Sequence, residues 1–492
     1  MRRCLILFAA AACLVAGCGS SSSSSSNPLT TELSYLPSGS PLILTVATDP
    51  NGGAIKGVNA LIGRFPLASI GVGALKSKLQ QSGVNYDGDV RPLLGNPVAL
   101  AVTGSSVSTH LTTNVLVVWV TKDADKLKSL VKKAVPGLHQ TGTHDSATLY
   151  RGNGSAALAI DGATAVIGSS PAVINAALDR HAHGGGVTSS QYSHALAGLP
   201  QDAVLKSFGN VTSFLSSPSA AKARRVPWVA ALRAFGETVT ASASGLSFNY
   251  HFDTNGARLT ASQLPFAQGP NPPAFAGALP ITAGLRDPAQ LIAFIESVEQ
   301  VTNPAGWARA LAGQARLRAK TGVDLNGLVK LMTGDLIIAS DASITAGRVA
   351  LSDPVAAKRI LDRLAASNVT AFGGAPLVKL GSDYGLQSGH TRLLLSVIGN
   401  QLLVGGTSIT HPGGLTALGA AIRSFASAPT SPAPGAHGAV AFRVSLNQLL
   451  ALVLKQSPPQ AVQSILSQLT DITGSSSVSP SGLTGTATIG VK

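Results

Sequence analysis

The chain has 492 residues, length enough for two or more hydrophobic cores, and its 36 Lys+Arg against 22 Asp+Glu give a formal net charge of +14. Aromatic residues make up 4% and the basic residues are scattered, which excludes a nucleic-acid reader, where charge is concentrated and interleaved with aromatics. Charge of this sign favours anionic lipid or an envelope polymer, screened by salt, and the short periodic apolar runs exclude a wholly disordered chain.

The chain opens on Arg2 and Arg3, followed by an apolar run over 5–16 and then Leu14-Val15-Ala16-Gly17-Cys18. A run of about a dozen residues suits a signal segment and falls short of the ~20 that span a bilayer. Small residues directly before a cysteine make this segment similar to the lipobox of bacterial lipoproteins. That resemblance implies a diacylglyceryl thioether on Cys18 and cleavage before it. Two or three acyl chains, at roughly 0.8 kcal/mol per buried CH₂, anchor firmly, so the expected location is the extracytoplasmic face of a cell membrane.

Cys4 and Cys13 leave with the signal, so the mature chain has no pair of thiols to join. Residues 20–26 are all serine, a solvated tether with nothing to bury. No later apolar stretch reaches ~18 residues, and no transmembrane helix is expected. The organisation read from this is a signal peptide at 1–17, a lipidated Ser-rich tether at 18–30, a first α+β repeat at 31–268 and a second at 269–492. A Pro/Ser/Ala-rich patch near 427–438 is the other stretch without core-forming residues.

Within the first repeat, 42–48 reads as a strand, followed by helices over 54–64 and 75–81, the latter ended by Ser82-Gly83. Residues 98–102 and 115–120 are short β-branched strands. Leu127, Leu130, Val131 and Ala134 carry a helical period over 125–135. Strands follow at 147–151, 156–160 and 163–168, with Asp161-Gly162 as a hairpin turn, then a helix over 171–180. Strands near 204–208, 239–252 and 257–262 close the repeat, the last two joined by Thr254-Asn255-Gly256. Hairpins mixed with helices give an α+β fold: two internally duplicated domains with mainly antiparallel sheet and flanking helices.

The duplication is read from a constant offset. Asp49-Pro50 falls on Asp287-Pro288, Gly83 on Gly322, Gly168 on Gly405 and Ala203 on Ala439, each 236 to 239 residues later. Tyr35-Leu36-Pro37 ahead of the first strand, and Asp89-Val90-Arg91-Pro92-Leu93-Leu94-Gly95 before the strand at Val98, resemble an uncharacterised family of bacterial surface proteins, domain of unknown function 3352. That resemblance, over most of 32–492, implies architecture and contributes no site residues.

The motifs that carry chemistry elsewhere are weak here. Asp49-Pro50, Asp287-Pro288 and Asp353-Pro354 each precede a helix, where aspartate caps free N–H groups and proline suits the first turn; Ser170-Pro171 and Thr410-His411-Pro412 are variants. Ser129-Leu130-Val131-Lys132, Ser247-Phe248-Asn249 and Lys320-Thr321-Gly322 follow the order used by penicillin-binding proteins. However, Ser129 falls mid-helix and Lys320-Thr321-Gly322 at a helix end. His181-Ala182-His183 offers two metal ligands without a third, and reads as a solvated loop after Arg180. The expectation is therefore a non-catalytic envelope lipoprotein that binds a lipid, polymer or protein partner at the membrane surface, with no cofactor, metal or nucleic acid. The alternatives are an envelope hydrolase with a site assembled from distant residues and a purely structural spacer.

Overall fold

The structure, a computed structural model, describes residues 27–65, 68–103, 114–135, 137–152, 157–255, 259–269, 271–276, 279–341, 343–368, 370–372, 375–388, 390–410, 413–433, 438–453 and 460–492. Cys18, the expected signal segment and the serine run lie outside the described residues.

The first half begins with helix α1 (Pro28–Tyr35), whose first three residues fall in the stretch expected as tether, and the Asn27 side chain accepts a hydrogen bond from Leu29 N. Strand β1 (Leu42–Val46) follows, then helices α2 (Gly53–Ile62) and α3 (Ala68–Gln81), and strands β2 (Val98–Val102) and β3 (Val115–Val120). Helix α4 (Ala124–Ala134) leads into a meander of β4 (His139–His144), β5 (Ala147–Arg151), β6 (Ala157–Asp161) and β7 (Thr164–Gly168). Helices α5 (Pro171–His183) and α6 (Ser189–Ala195) precede β8 (Leu205–Asn210), β9 (Leu232–Ser242) and β10 (Gly245–Thr254).

The second half supplies β11 (Ile281–Arg286), α7 (Pro288–Thr302), α8 (Pro304–Thr321), α9 (Leu325–Leu331), β12 (Met332–Ser340), β13 (Ile344–Leu351) and α10 (Pro354–Ala366). It continues with β14 (Val378–Leu380), β15 (Asp383–Ser388), β16 (Thr391–Ile398), β17 (Gln401–Ser408), α11 (Gly414–Ala426), β18 (Val440–Ser445), β19 (Leu469–Ser479) and β20 (Gly482–Val491). The fold is α+β, as the mixture of hairpins and helices implies.

These twenty strands form one sheet in which every pairing is antiparallel. From one edge inward the order is β4-β5-β6-β7-β3-β2-β1-β8-β9-β10. From the other it is β14-β15-β16-β17-β13-β12-β11-β18-β19-β20, and β10 meets β20 at the centre. Tight turns set the meanders: Gly162 between β6 and β7 and Gly399 between β16 and β17 both adopt positive φ, which a two-residue hairpin requires.

Two strand expectations change, and one strand has no counterpart among them. Residues 239–252 are not one strand but parts of β9 and β10, which turn at Ala243-Ser244 with Ser242 opposite Gly245; β-branched and apolar residues on both arms hide the turn. No strand occupies 259–262, where Ala261–Gln263 is a turn of 3-10 helix closed by a Thr260/Gln263 capping box; residues 256–258 lie outside the described residues. The edge strand β4, His-Gln-Thr-Gly-Thr-His, shows no apolar alternation because neither of its faces is buried.

Each half of the sheet has apolar clusters on both faces. In the first half, α1, α5 and α6 cover one face through Leu33, Ile174, Leu178 and Tyr192. On the other, α4 and the segment after α3 contribute Leu127, Val84 and Tyr86 over Trp119 and Ile160. In the second half, α11 covers one face through Leu418, Ile422 and Phe425, and α8, α9 and α10 cover part of the other. Arg348 of β13, 7% exposed, donates to the carbonyls of Phe425, Ala426 and Ala428 and so ends α11 from the sheet.

Candidate functional site

Side-chain alternation along β12, β13, β16 and β17 sends Ile337, Ala346, Leu394 and Leu403 toward α11 and their neighbours to the opposite face. Helices α9 and α10 fill that opposite face only toward Leu351, Leu395 and Tyr384. Beyond them lies an open groove of about 650 Å³. Its floor is Leu336 and Ile338 of β12, Gly347 and Val349 of β13, Leu393 of β16, and Leu402, Val404 and Gly406 of β17; Pro288 and Ile292 of α7 form one wall. Val404, on a strand paired on both sides, is 37% exposed.

The hollow follows from residue size. Trp119 of β3 lies opposite Ala165 of β7, and Val349 of β13, at the same place in the strand order, lies opposite Leu402 of β17. Two residues earlier, Val117 faces Ile167 in the first half and Gly347 faces Val404 in the second. A Cβ added at Gly347 would meet its nearest neighbour, Leu336 Cδ1, at 3.7 Å, an ordinary contact, so the site accepts a larger side chain. At one end the lining turns polar with Ser343, Thr345, Thr391 and Ser408. Asp341, the titratable residue of the described lining, is held in a turn, accepting from Ser343 N at 2.7 Å and Ile344 N at 2.6 Å. The arrangement suits an apolar chain with a polar end, and its volume is that of a small-molecule site.

A second, smaller hollow of about 210 Å³ lies between β1, α2 and β8, with Asp49, Asp202 and Lys206 at its rim. Asp202 Oδ1 accepts from Ala54 N at 2.8 Å and so caps α2 from outside the helix. Burial pushes the Lys206 ammonium below its usual range.

Elsewhere the charged groups join elements. The Lys133 hydrogen bond to Asp89, at 2.7 Å, holds that carboxyl below the usual range; Lys379 does the same for Asp362 at 2.6 Å. Asp383, largely buried, accepts from Arg423 and Ser396, both at 2.7 Å. Glu32 is fully buried: Oε1 accepts from Val120 N at 3.0 Å, Oε2 has no partner, and burial pushes the carboxyl up to about 9.

The histidine pair is exposed, as expected, but belongs to a helix and not a loop. His181 stacks on Tyr35 with ring centres 4.1 Å apart, and its Nδ1 lies 2.6 Å from Ser34 Oγ; both histidines belong to the last turn of α5. Asp179 of that helix instead meets the β4–β5 hairpin, with His144 Nε2 2.7 Å from Asp179 Oδ1 and 3.8 Å from Asp145 Oδ2. One ligand atom from each of these three lies within 4.8 Å of the others, the grouping among the described residues that could hold a metal ion. Sequence reading missed it because 35 residues separate His144 from Asp179.

The three penicillin-binding-like segments are not brought together. Ser129 is exposed on α4, Ser247 bonds Thr488 across the β10–β20 pair at 3.1 Å, and Thr321 donates to Leu317 O within α8. Of the expected caps, Asp353 accepts from Ala356 N and Ser170 from Val173 N. Asp287 makes no side-chain cap bond and sits at φ 41°. Asp49 accepts from Asn51 N in a turn before α2. His411 and Pro412 lie outside the described residues.

A family model described as a protein of unknown function (DUF3352) matches residues 4–374, about three quarters of the chain. No curated protein matches the chain. Among solved structures, crystal form III of TP0453 is similar at 11% identity and a TM-score of 0.29, covering 48% of this chain and 83% of that one. Crystal form I gives 13% and 0.28, covering 48% and 82%. At these scores the likeness carries no argument about fold or function.

Proposed function

The chain belongs to the DUF3352 family of proteins of unknown function, and from that premise we propose that it is a non-catalytic cell-envelope lipoprotein that holds the apolar part of a lipid in the groove of its second half. The observation that carries the reading is the groove itself: about 650 Å³ of mostly apolar lining, floored by the 37% exposed Val404 and polar at one end. An acyl chain in it removes apolar surface from water at about 0.8 kcal/mol per methylene, while its headgroup stays at the Ser343, Thr391 and Ser408 end. Anchorage through Cys18 on the extracytoplasmic face of the membrane puts such a site beside its ligand. The charged groups brought close elsewhere support the non-catalytic part, since the Asp89, Asp362 and Asp383 pairs join one element to another.

We further propose that the two halves arose by duplication. The strand order of one half repeats that of the other, and Asn249 at the centre of β10 pairs with Thr486, 237 residues later, within the offset range read from the sequence.

The test is binding of a polyene fatty acid whose fluorescence rises on leaving water. Gly347→Phe occupies the floor without a clash at Cβ and displaces about four methylenes, so binding is expected to weaken roughly 100-fold. Val404→Asn, which places an amide on the same floor, should weaken it too. Unchanged binding in both folded variants would remove the groove as the site.

A further inference from the structure

Helices α7 and α8 form a hairpin turning at Asn303. Only Pro288 on α7 and Leu317 on α8 are fully buried, and Ile295 and Leu311, eight residues either side of Asn303, are 50% and 45% exposed. The four basic residues of α8 are Arg309, Arg316, Arg318 and Lys320, and the helix has no acidic residue. Among the described residues none of the four joins a salt bridge. In α3, by contrast, Lys76 pairs with Asp87 at 3.3 Å.

Angular position decides what this face suits. At 100° per residue, Ala308, Leu311, Ala312, Ala315 and Ala319 fall in one band about 100° wide, and all are exposed. Arg318 borders the band on one side and Arg309, Arg316 and Lys320 on the other, while the buried Leu317 points away. The half-buried Trp307 continues the band past Leu311 near the turn. An apolar strip bordered by cations and bearing a tryptophan is the composition of a helix lying in a membrane interface. A protein partner would ask for larger apolar anchors than alanine.

We infer that the α7–α8 hairpin docks on an anionic lipid surface, with the Leu311 strip against the acyl boundary and the four cations on the headgroups. It takes from the proposed function only the presence of a membrane nearby. Because Ile292 of α7 also walls the groove, docking would bring the groove to the bilayer.

The experiment adds the full chain to vesicles of bromine-bearing phosphatidylcholine, with or without phosphatidylglycerol. Trp119 and Trp228 are buried, 2% and 8% exposed, so bromine quenching reports on Trp307, and Trp307→Phe must abolish it. Quenching is expected only with phosphatidylglycerol, and salt should reverse it. Arg309→Gln, Arg316→Gln and Lys320→Gln together should lower vesicle binding roughly 100-fold, about 5-fold per charge. Equal quenching on phosphatidylcholine alone, no quenching on either, or no effect of the triple variant would overturn the inference. So would binding of polyphosphate through these residues without quenching on vesicles, which would assign the surface to an acidic polymer. Fatty-acid binding sensitive to Gly347→Phe in a protein that leaves Trp307 unquenched would sink the hairpin and keep the groove; the reverse pair of results would do the opposite.

Discussion

Glu32 places a carboxyl on the buried face of α1, where one oxygen accepts from Val120 N and the other has no partner. Burial pushes it up to about 9, so the folded chain carries it neutral at pH 7 while the unfolded chain ionises it. An acid whose folded pKa is raised opposes folding as pH climbs: its cost is absent below about 4.5, grows between about 4.5 and about 9, and is level above. At pH 7 that amounts to about 3 kcal/mol at 1.36 kcal/mol per unit. Glu32→Gln keeps the acceptor for Val120 and cannot ionise. Its urea-unfolding free energy should therefore lose this downward slope between pH 5 and 8, and a variant with the wild-type slope would refute the assignment. The residue pattern around Pro28 gives no hint of such a group, because a glutamate on a short polar-looking helix reads as solvated.

Helix starts show how the same dipeptide serves different ends. Asp353 caps α10 through Ala356 N at 2.8 Å, whereas α2 is capped by Asp202, 148 residues along the chain from its partner Ala54. Asp353→Ala and Asp202→Ala are each expected to cost about 1 kcal/mol. Asp287 sits at φ 41° without a cap bond, a conformation costing an L-residue about 1 kcal/mol, so Asp287→Gly should stabilise by roughly 0.5–1 kcal/mol. Thermal melts of the three variants check both signs at once, and a stabilised Asp353→Ala would be incompatible with the cap. Local patterning made the buried strands legible, and 98–102, 115–120 and 147–151 match β2, β3 and β5 to the residue. What it could not supply was pairing between distant segments. The groove exists because Gly347 and Val404 face each other across β13 and β17, and in the sequence each is an ordinary strand residue. The α7–α8 hairpin is likewise legible only in part, since Lys320-Thr321-Gly322 reads as a helix end but exposure of the Ala/Leu strip depends on what packs beside it.

At the scale of the whole molecule, the sheet joins its halves through β10 and β20, nine register pairs from Gly245↔Gly490 to Asp253↔Gly482. A glycine stands near each end of this seam for a steric reason. A Cβ on Gly245 would strike the carbonyl of Ile489, and a Cβ on Gly482 would strike that of Phe252, so the backbones approach where no side chain fits. The cluster of Val226, Trp228 and Leu264 with Ala439 and Val478 adds apolar contact across the same junction. With the ladder continuous and a shared cluster beside it, neither half can open its central strand without exposing the other's. The chain should unfold in one calorimetric transition whose van't Hoff and calorimetric enthalpies agree. Gly245→Val with Gly482→Val wedges both ends, at roughly 1–3 kcal/mol each for overpacking, while leaving the clusters within each half untouched. The double variant is expected to resolve into two transitions, or to show a van't Hoff enthalpy well below the calorimetric one. Two separated transitions in the unaltered chain would mean that the seam does not couple the halves, and an unchanged single transition in the variant would mean that the coupling lies in the apolar cluster instead.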